Sequence, residues 1–276
     1  AMRQQFSLIK ALQVDETPVK NKDKDKKSFM WCYHSLDPGN HFVLYEYNDS
    51  RGAHVPNEML TNFKGVLQTD GYAGYNALRH KDDVHGVGCM AHVRRKFIDV
   101  IKIAGSKKMG KANTAVAMIK KLYEIETQAR DQVLTHQERY QLRQKKAVPI
   151  LKRIKIWLDK SINQVPQKSA IGRAIGYALR QWPYVSAYAD HAQIEIDNNL
   201  AENLIRPLAL GRKNWLFVGN ERGAKAAAII YSLIQSCIIN DINAREYFNA
   251  IMAKIPAIRR GDIDATTLLP QFFQKN

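Results

Sequence analysis

The feature that most constrains this chain is a change of hydrophobic rhythm near residue 105. Before it, short apolar and β-branched runs alternate with helical spacings. After it, no strand pattern returns until about residue 190. Ser7–Val14 reads as an apolar strand that ends at Asp15. Ser28–Ser35 and His41–Tyr47 are aromatic and β-branched runs on either side of Asp37-Pro38-Gly39-Asn40, which is hairpin chemistry. Val55–Phe63 has helical spacing, and Gly65–Thr69 is a short strand running into Asp70-Gly71. Tyr72–Leu78 is a short helix, Val84–Cys89 a strand, and Met90–Ala104 a helix with Val93, Phe97, Val100 and Ile101 on one side. Three strands in meander followed by βαβ units predict an α/β fold, a mixed sheet flanked by helices.

The stretch that follows predicts helices alone. Val116, Ile119, Leu122 and Tyr123 share a face, as do Ile150, Ile154, Trp157 and Leu158, and then Ile171, Ile175 and Leu179. Pro149, Pro166 and Pro183 punctuate these segments. Beyond them Ile194-Glu195-Ile196 is strand-like and Leu200–Leu210 is helical. Trp215–Val218 is a short apolar run, and Arg222–Asn240 and Ala244–Ile255 are periodic helices. The stripe Ile229, Leu233, Ile234 and Ile238 is expected in the core. The expected organisation is a core begun by residues 1–105, a large all-α insertion at 106–190, and the rest of the core with C-terminal helices at 191–276.

Charge follows the same division. The 276 residues carry a net charge of +16, and the segment from Ala91 to Lys160 holds 18 Lys and Arg against 6 Asp and Glu. A basic zone of that kind faces a polyanion, and nucleic acid is the expected partner. The longest uncharged stretch of the C-terminal part, Ala226–Asn240, has 15 residues. That is short of a membrane span. No secretory signal opens the chain, and Ala1-Met2 reads as a scar before an internal start, so a fragment of a longer protein is expected. Cys32, Cys89 and Cys237 are too few for a disulfide framework and predict a reducing compartment.

Two carboxylates, Asp15 and Asp70, follow strands that a mixed sheet would place side by side. Oxygen ligands at such an edge suit Mg²⁺ or Mn²⁺. Two such ions, held by about three carboxylates, activate a hydroxyl and stabilise a leaving oxygen in phosphodiester chemistry. Each Asp alone also suits a plain strand end or turn. For a third ligand the segment from Ile194 to Asn203 offers Glu195, Asp197 and Glu202. With Asn199 as N-cap, Glu202 also has capping-box spacing, so a structural role competes. Arg206 lies one turn beyond Glu202 and shares its face, where it could hold a phosphate.

Val14-Asp15-Glu16-Thr17-Pro18-Val19-Lys20, Leu67–Tyr75, Gly88–Phe97 and Ile194–Gly219 closely resemble the DDE transposases of the insertion sequence 66 family. The matched blocks run in order over nearly the whole chain. The resemblance implies a ribonuclease-H-like core with an α-helical insertion between the second Asp and the Glu. It implies that Asp15, Asp70 and Glu202 are the metal-binding triad, holding two Mg²⁺ or Mn²⁺ ions. It further implies double-stranded DNA as partner, at transposon ends and target, a homodimer or higher oligomer in the active complex, and a bacterial, cytoplasmic, nucleoid-associated setting without a membrane. Members of that family are longer at the N-terminus, so this chain is expected to be the catalytic part. A non-catalytic DNA-binding module of the same fold and a structure-selective nuclease are the alternative readings.

Cys89-x-x-His92, with His80 and His85 upstream on expected loops, brings four N/S ligands within 13 residues. The spacing matches no tight zinc template, and the expected roles are a small buried group for Cys89 and a near-site bond for His92. Arg94, Arg95 and Lys96 on the next helix are candidate DNA contacts. So are Lys145, Lys146, Arg153 and Lys155 in the helical zone, and Arg206, Arg212 and Lys213. Trp215 is expected in the core with Leu216 and Phe217.

Overall fold

The computed structural model describes residues 1–105 and 110–273. Residues 106–109, where the helical insertion is expected to open, lie outside the described residues, as do 274–276. The chain divides into two compact units. One comprises Ala1–Leu67, Tyr72–His85 and Asn199–Asn276; the other comprises Gln68–Gly71 and Gly86–Asn198.

The sheet has five strands, β1 (Ala11–Val19), β2 (Ser28–Ser35), β3 (Val43–Asn48), β4 (Gly65–Gln68) and β5 (Val84–Val87), in the order β3-β2-β1-β4-β5, with β1, β2 and β3 wholly in the first unit. The first three strands are the expected antiparallel meander. β4 lies beside β1, where Val66 N–H donates to the Lys10 carbonyl at 2.8 Å. Gly65, at φ +143°, leaves room there, because a Cβ would strike that carbonyl. Gly65 N–H donates to Asp83 O and Thr69 N–H to Val87 O, a constant offset that makes β4 and β5 parallel.

The expected strand Ser7–Val14 needs correction. Met2–Ser7 is a 3₁₀ turn, and β1 starts at Ala11 and runs through Asp15 to Val19. The ladder does not stop at the carboxylate because Glu16 to Val19 pair with Trp31 to Ser28. Alternation then sends Leu12 and Val14 into a core with Trp31, Tyr33, Phe42 and Tyr75. The opposite face, with Val19, Met30, Cys32 and Tyr45, packs under α8 (Asn199–Trp215) and α9 (Glu221–Ile239).

Helix α9 seals the open edge of β3. Ala224, Ala228, Ser232 and Ser236 recur every four residues and are buried. Their small side chains let the helix approach the strand backbone. Ser232 Oγ accepts the Tyr45 N–H at 2.7 Å, and Ser236 Oγ accepts the Val43 N–H at 2.9 Å. The Ile stripe expected in the core is instead largely turned outward: Ile229 and Ile238 are 61% and 59% exposed, and Leu233 and Ile234 are half-buried. Three helical turns of Ala and Ser won the inner face because only they fit against an edge strand.

In the second unit every element among the described residues from Gly110 to Asp190 is helical. After α1 (His54–Met59) and α2 (Asn76–Arg79) of the first unit come α3 (Met90–Ala104), α4 (Lys111–Asp131), α5 (His136–Leu142), α6 (Val148–Ile162) and α7 (Ala170–Ser186). Phe97, Ile119, Leu122, Leu151, Ile154, Leu158 and Ile175 form the buried seams. Pro183 does not end α7 as expected; it sits in the last turn, where few helix bonds remain to be lost. A π-helical turn, Arg143–Ala147, joins α5 to α6 and turns Arg143 wholly inward.

Arg143 is the polar centre of this unit. Its guanidinium forks onto Glu126 at 2.9 and 2.7 Å and donates to the carbonyls of Tyr188, His191 and Ile194. Arg139 adds a second pair to Glu126 at 2.8 Å. Burial alone would push the Glu126 carboxyl up, but the two guanidinium groups hold it below the usual carboxylate range. Ile194-Glu195-Ile196, expected as a strand, is irregular: the Ile194 and Glu195 carbonyls accept from the Arg143 and Gln68 side chains, and the Ile196 carbonyl accepts the Met90 N–H, with no neighbouring strand among the described residues.

Breaking the pair should be costly. Arg143→Met leaves the buried Glu126 carboxylate with Arg139 alone and takes the donor from three backbone carbonyls, and it should lower unfolding stability by about 3–5 kcal/mol in urea melts. Since the folded Glu126 carboxyl titrates below its ordinary value, its contribution is present above the ordinary carboxylate range and lost as pH falls through the depressed value. Glu126→Gln should therefore flatten the acid limb of a stability–pH curve; an unchanged limb would contradict the assignment.

Candidate active site

Within the first unit, β1 and α8 bring two candidate carboxylates onto one side of the sheet. Asp15 stands opposite Cys32 on the face that packs under α8, and it is half-buried. Burial pushes the Cys32 thiol up, and the Asp15 charge pushes it further, which places the two side chains in one neighbourhood. Two residues back on the same face, Gln13 is wholly buried, and its Oε1 accepts the Ala201 N–H at 3.2 Å. The first turn of α8, which carries Glu202, is thereby docked on the strand that carries Asp15. Sequence reasoning missed Gln13. Its signal was an amide in an otherwise apolar strand, where a buried polar group demands a partner.

Glu16, the neighbouring acid, is committed elsewhere. It pairs with Arg51 at 2.6 Å and accepts the Tyr75 hydroxyl, on the other face of the strand. Its side chain is 2% exposed.

Asp70 lies in the second unit, two residues past the end of β4, and is half-buried. Gly71 after it abuts α7: a Cβ there would meet the Tyr177 hydroxyl at 2.6 Å. The competitors for the third ligand also lie in this unit, and both are engaged. Glu195 pairs with Arg139 at 2.7 Å and with Arg130 at 3.5 Å. Asp197, 7% exposed, accepts the Tyr123 hydroxyl at 2.8 Å. Burial, then the Asp197 charge, raises that phenol.

A family profile described as "Transposase IS66 family" matches residues 1–226. The chain belongs to the IS66 transposase family. Among curated proteins it is 32% identical to "Uncharacterized protein y4jD" of Sinorhizobium fredii (strain NBRC 101917 / NGR234), over 93% of this chain and 52% of that protein. It is 31% identical to y4hP of the same organism, over 91% of this chain and 50% of the other. The chain thus spans about half the length of the curated relatives it matches.

In this IS66-family chain Cys89 is buried, 3% exposed, and its Sγ accepts the Asn198 N–H at 3.3 Å. His92 is half-buried on the first turn of α3. His85 is in strand β5 rather than a loop, and His80 follows α2.

The basic candidates divide by how they are held. Arg94, Arg95, Lys96, Lys145, Arg153, Arg206 and Lys213 are exposed. Lys146 reaches Gln128 at 2.8 Å. Lys155 is tied to Asp159 one turn on, at 2.6 Å, and Arg212 donates to the Pro18 carbonyl, so these two are partly committed to the fold. Trp215 packs on the core, whereas Leu216 and Phe217, expected beside it, are 65% and 39% exposed. Val218 explains this: it bridges to Asn21, and the chain turns outward between. Among the described residues no helix is long and apolar enough to cross a membrane.

The Gln13 bond can be checked directly. Gln13→Ala should release the Ala201 amide, and its hydrogen exchange should speed up on the order of five- to tenfold, as expected for one hydrogen bond removed. No change at Ala201 would show that α8 is seated by apolar packing alone.

Proposed function

We propose that this chain is the catalytic part of a DNA transposase with a ribonuclease-H-like core. It cuts the phosphodiester backbone of double-stranded DNA at transposon ends and joins the freed strand to target DNA. Family membership supports the reaction class, and one observation carries the assignment of residues. The Gln13–Ala201 bond seats the first turn of α8 on β1, so that Glu202 and Asp15 belong to one side of one sheet. β4, which the chain leaves toward Asp70, lies beside β1, within which Asp15 stands.

The donor set fits a hard divalent cation. Asp15, Asp70 and Glu202 are oxygen donors and each is half-buried; the Asp15 carboxylate also accepts the Glu16 N–H at 2.9 Å. Bound there, Mg²⁺ or Mn²⁺ would activate a water or a 3′-hydroxyl and stabilise the leaving oxygen. The protein's own part is positional. Asp15, fixed within a paired strand, and Glu202, fixed in a docked helical turn, hold their carboxylates without large reorganisation. Arg206, exposed one turn beyond Glu202, offers a guanidinium to a phosphate.

A nicking and strand-transfer assay in Mg²⁺ or Mn²⁺, on transposon-end DNA, tests this reading. Asp70→Ala and Glu202→Gln should each abolish cutting and joining while leaving the thermal melt near wild type. A mere helix cap would survive Glu202→Gln, because Gln also fits the capping box. Wild-type turnover by Glu202→Gln together with inactive Asp197→Asn would transfer the role to Asp197. Tight DNA binding without metal-dependent cutting by the wild type would make the chain a binding module.

A further inference from the structure

Inside the second unit a groove of about 310 Å³ runs between α3 and α7. Lys96 comes from α3; Arg173, Tyr177 and Arg180 come from α7. Residues 173, 177 and 180 share one helical face. Arg173 and Arg180 are exposed and stand seven residues apart. That is about 10.5 Å along a helix, close to three base steps of DNA at about 3.4 Å each. The Lys96 ammonium sits 5.4 Å from the centre of the Tyr177 ring, which orients it over the groove. One carboxylate, Asp99, also lines the groove, against three cations.

Tyr177 links this groove to the candidate catalytic loop. Its hydroxyl occupies the space into which a Cβ on Gly71 would project, at 2.6 Å, and Gln181 flanks the same point at 3.3 Å. Glycine at 71 is what lets the turn carrying Asp70 press against α7. Tyr177 therefore spans from the cationic groove, which its ring lines, to the turn that carries Asp70.

We propose that the α3–α7 groove is a DNA-backbone track leading to Asp70, with Arg173 and Arg180 binding phosphates and Tyr177 as the positioning residue between track and turn. This rests on the transposase reading and adds α7 to the DNA-binding elements. The occupant is the phosphodiester backbone because the charge is complementary, and because the arginines stand at a spacing that fits a repeating polyanion.

The test is duplex binding by fluorescence anisotropy across a salt series. Arg173→Ala/Arg180→Ala should make the log–log salt slope shallower by about 2, at roughly 0.9 for each phosphate no longer neutralised, and weaken binding about tenfold or more at low salt. Arg173→Lys/Arg180→Lys should restore the slope. Circular dichroism should match wild type, since both residues are exposed. Wild-type binding and Asp70-dependent nicking with an unchanged slope in the Ala pair would overturn the track and leave the transposase reading standing. A wild type that neither binds nor nicks would overturn both. Displacement of DNA by polyglutamate as effective as by unlabelled duplex would assign the groove to an acidic peptide instead, and overturn the proposal.

Discussion

The chain returns from its helical excursion through a segment that is neither helix nor strand, and Arg143 makes that possible. Tyr188, Ile194, Ile196 and Asn198 are buried, so the backbone carbonyls around them need donors. Arg143 supplies three of those bonds while its other N–H groups hold Glu126. Arg139 adds the Ala192 carbonyl, and the Gln68 amide adds that of Glu195. A regular element would have satisfied itself but would have fixed its own direction. Side-chain donors let the segment bend freely and remain dry. Breaking one partner exposes the charge of the other, so the pair specifies the path of the segment more than it contributes net stability.

The same pattern of polar groups replacing a ladder recurs at the edge of the first unit's sheet. β3 would present unpaired N–H groups to any passing strand. Ser232 and Ser236 take two of them. Here the sequence pattern misled, because apolar periodicity points Ile229 and Ile238 inward. A helix against a strand edge, unlike one against a sheet face, needs small residues that let backbones approach and hydroxyls that accept hydrogen bonds. Hydrophobicity alone does not encode that demand; the Ala-Ser repeat at every fourth position does.

Most of the architecture was readable because it rests on period. The meander, the βαβ connections and the strandless stretch from Gly110 to Asp190 all follow from spacing. What escaped was wherever side chains finish the backbone's hydrogen bonds: the irregular Ile194–Asn198 run, Gln13, and the outward Ile stripe. The candidate acids were readable as residues but not as roles. Asp15 was expected to end a strand, and it lies inside one. Glu195 and Asp197 looked equivalent to Glu202 in sequence. Their contacts, Glu195 with Arg139 and Asp197 with Tyr123, are long-range and no spacing reveals them.

Register then decides which acid on β1 can serve the proposed site. Asp15 and Glu16 are adjacent, and a strand sends adjacent side chains to opposite faces. The pairing of Asp15 with Cys32 and Glu16 with Trp31 puts Asp15 on the α8 face and Glu16 among Arg51 and Tyr75. A slip of one residue would exchange them and bury Gln13 in the aromatic core. Leu12 and Val14, wholly buried with Trp31 and Tyr33, make that slip expensive. The apolar residues of β1 thus fix the identity of the acid beneath α8, and Gln13 fixes the helical turn that stands over it. The placement of Asp15 and Glu202 on one side of the sheet follows from packing and one hydrogen bond.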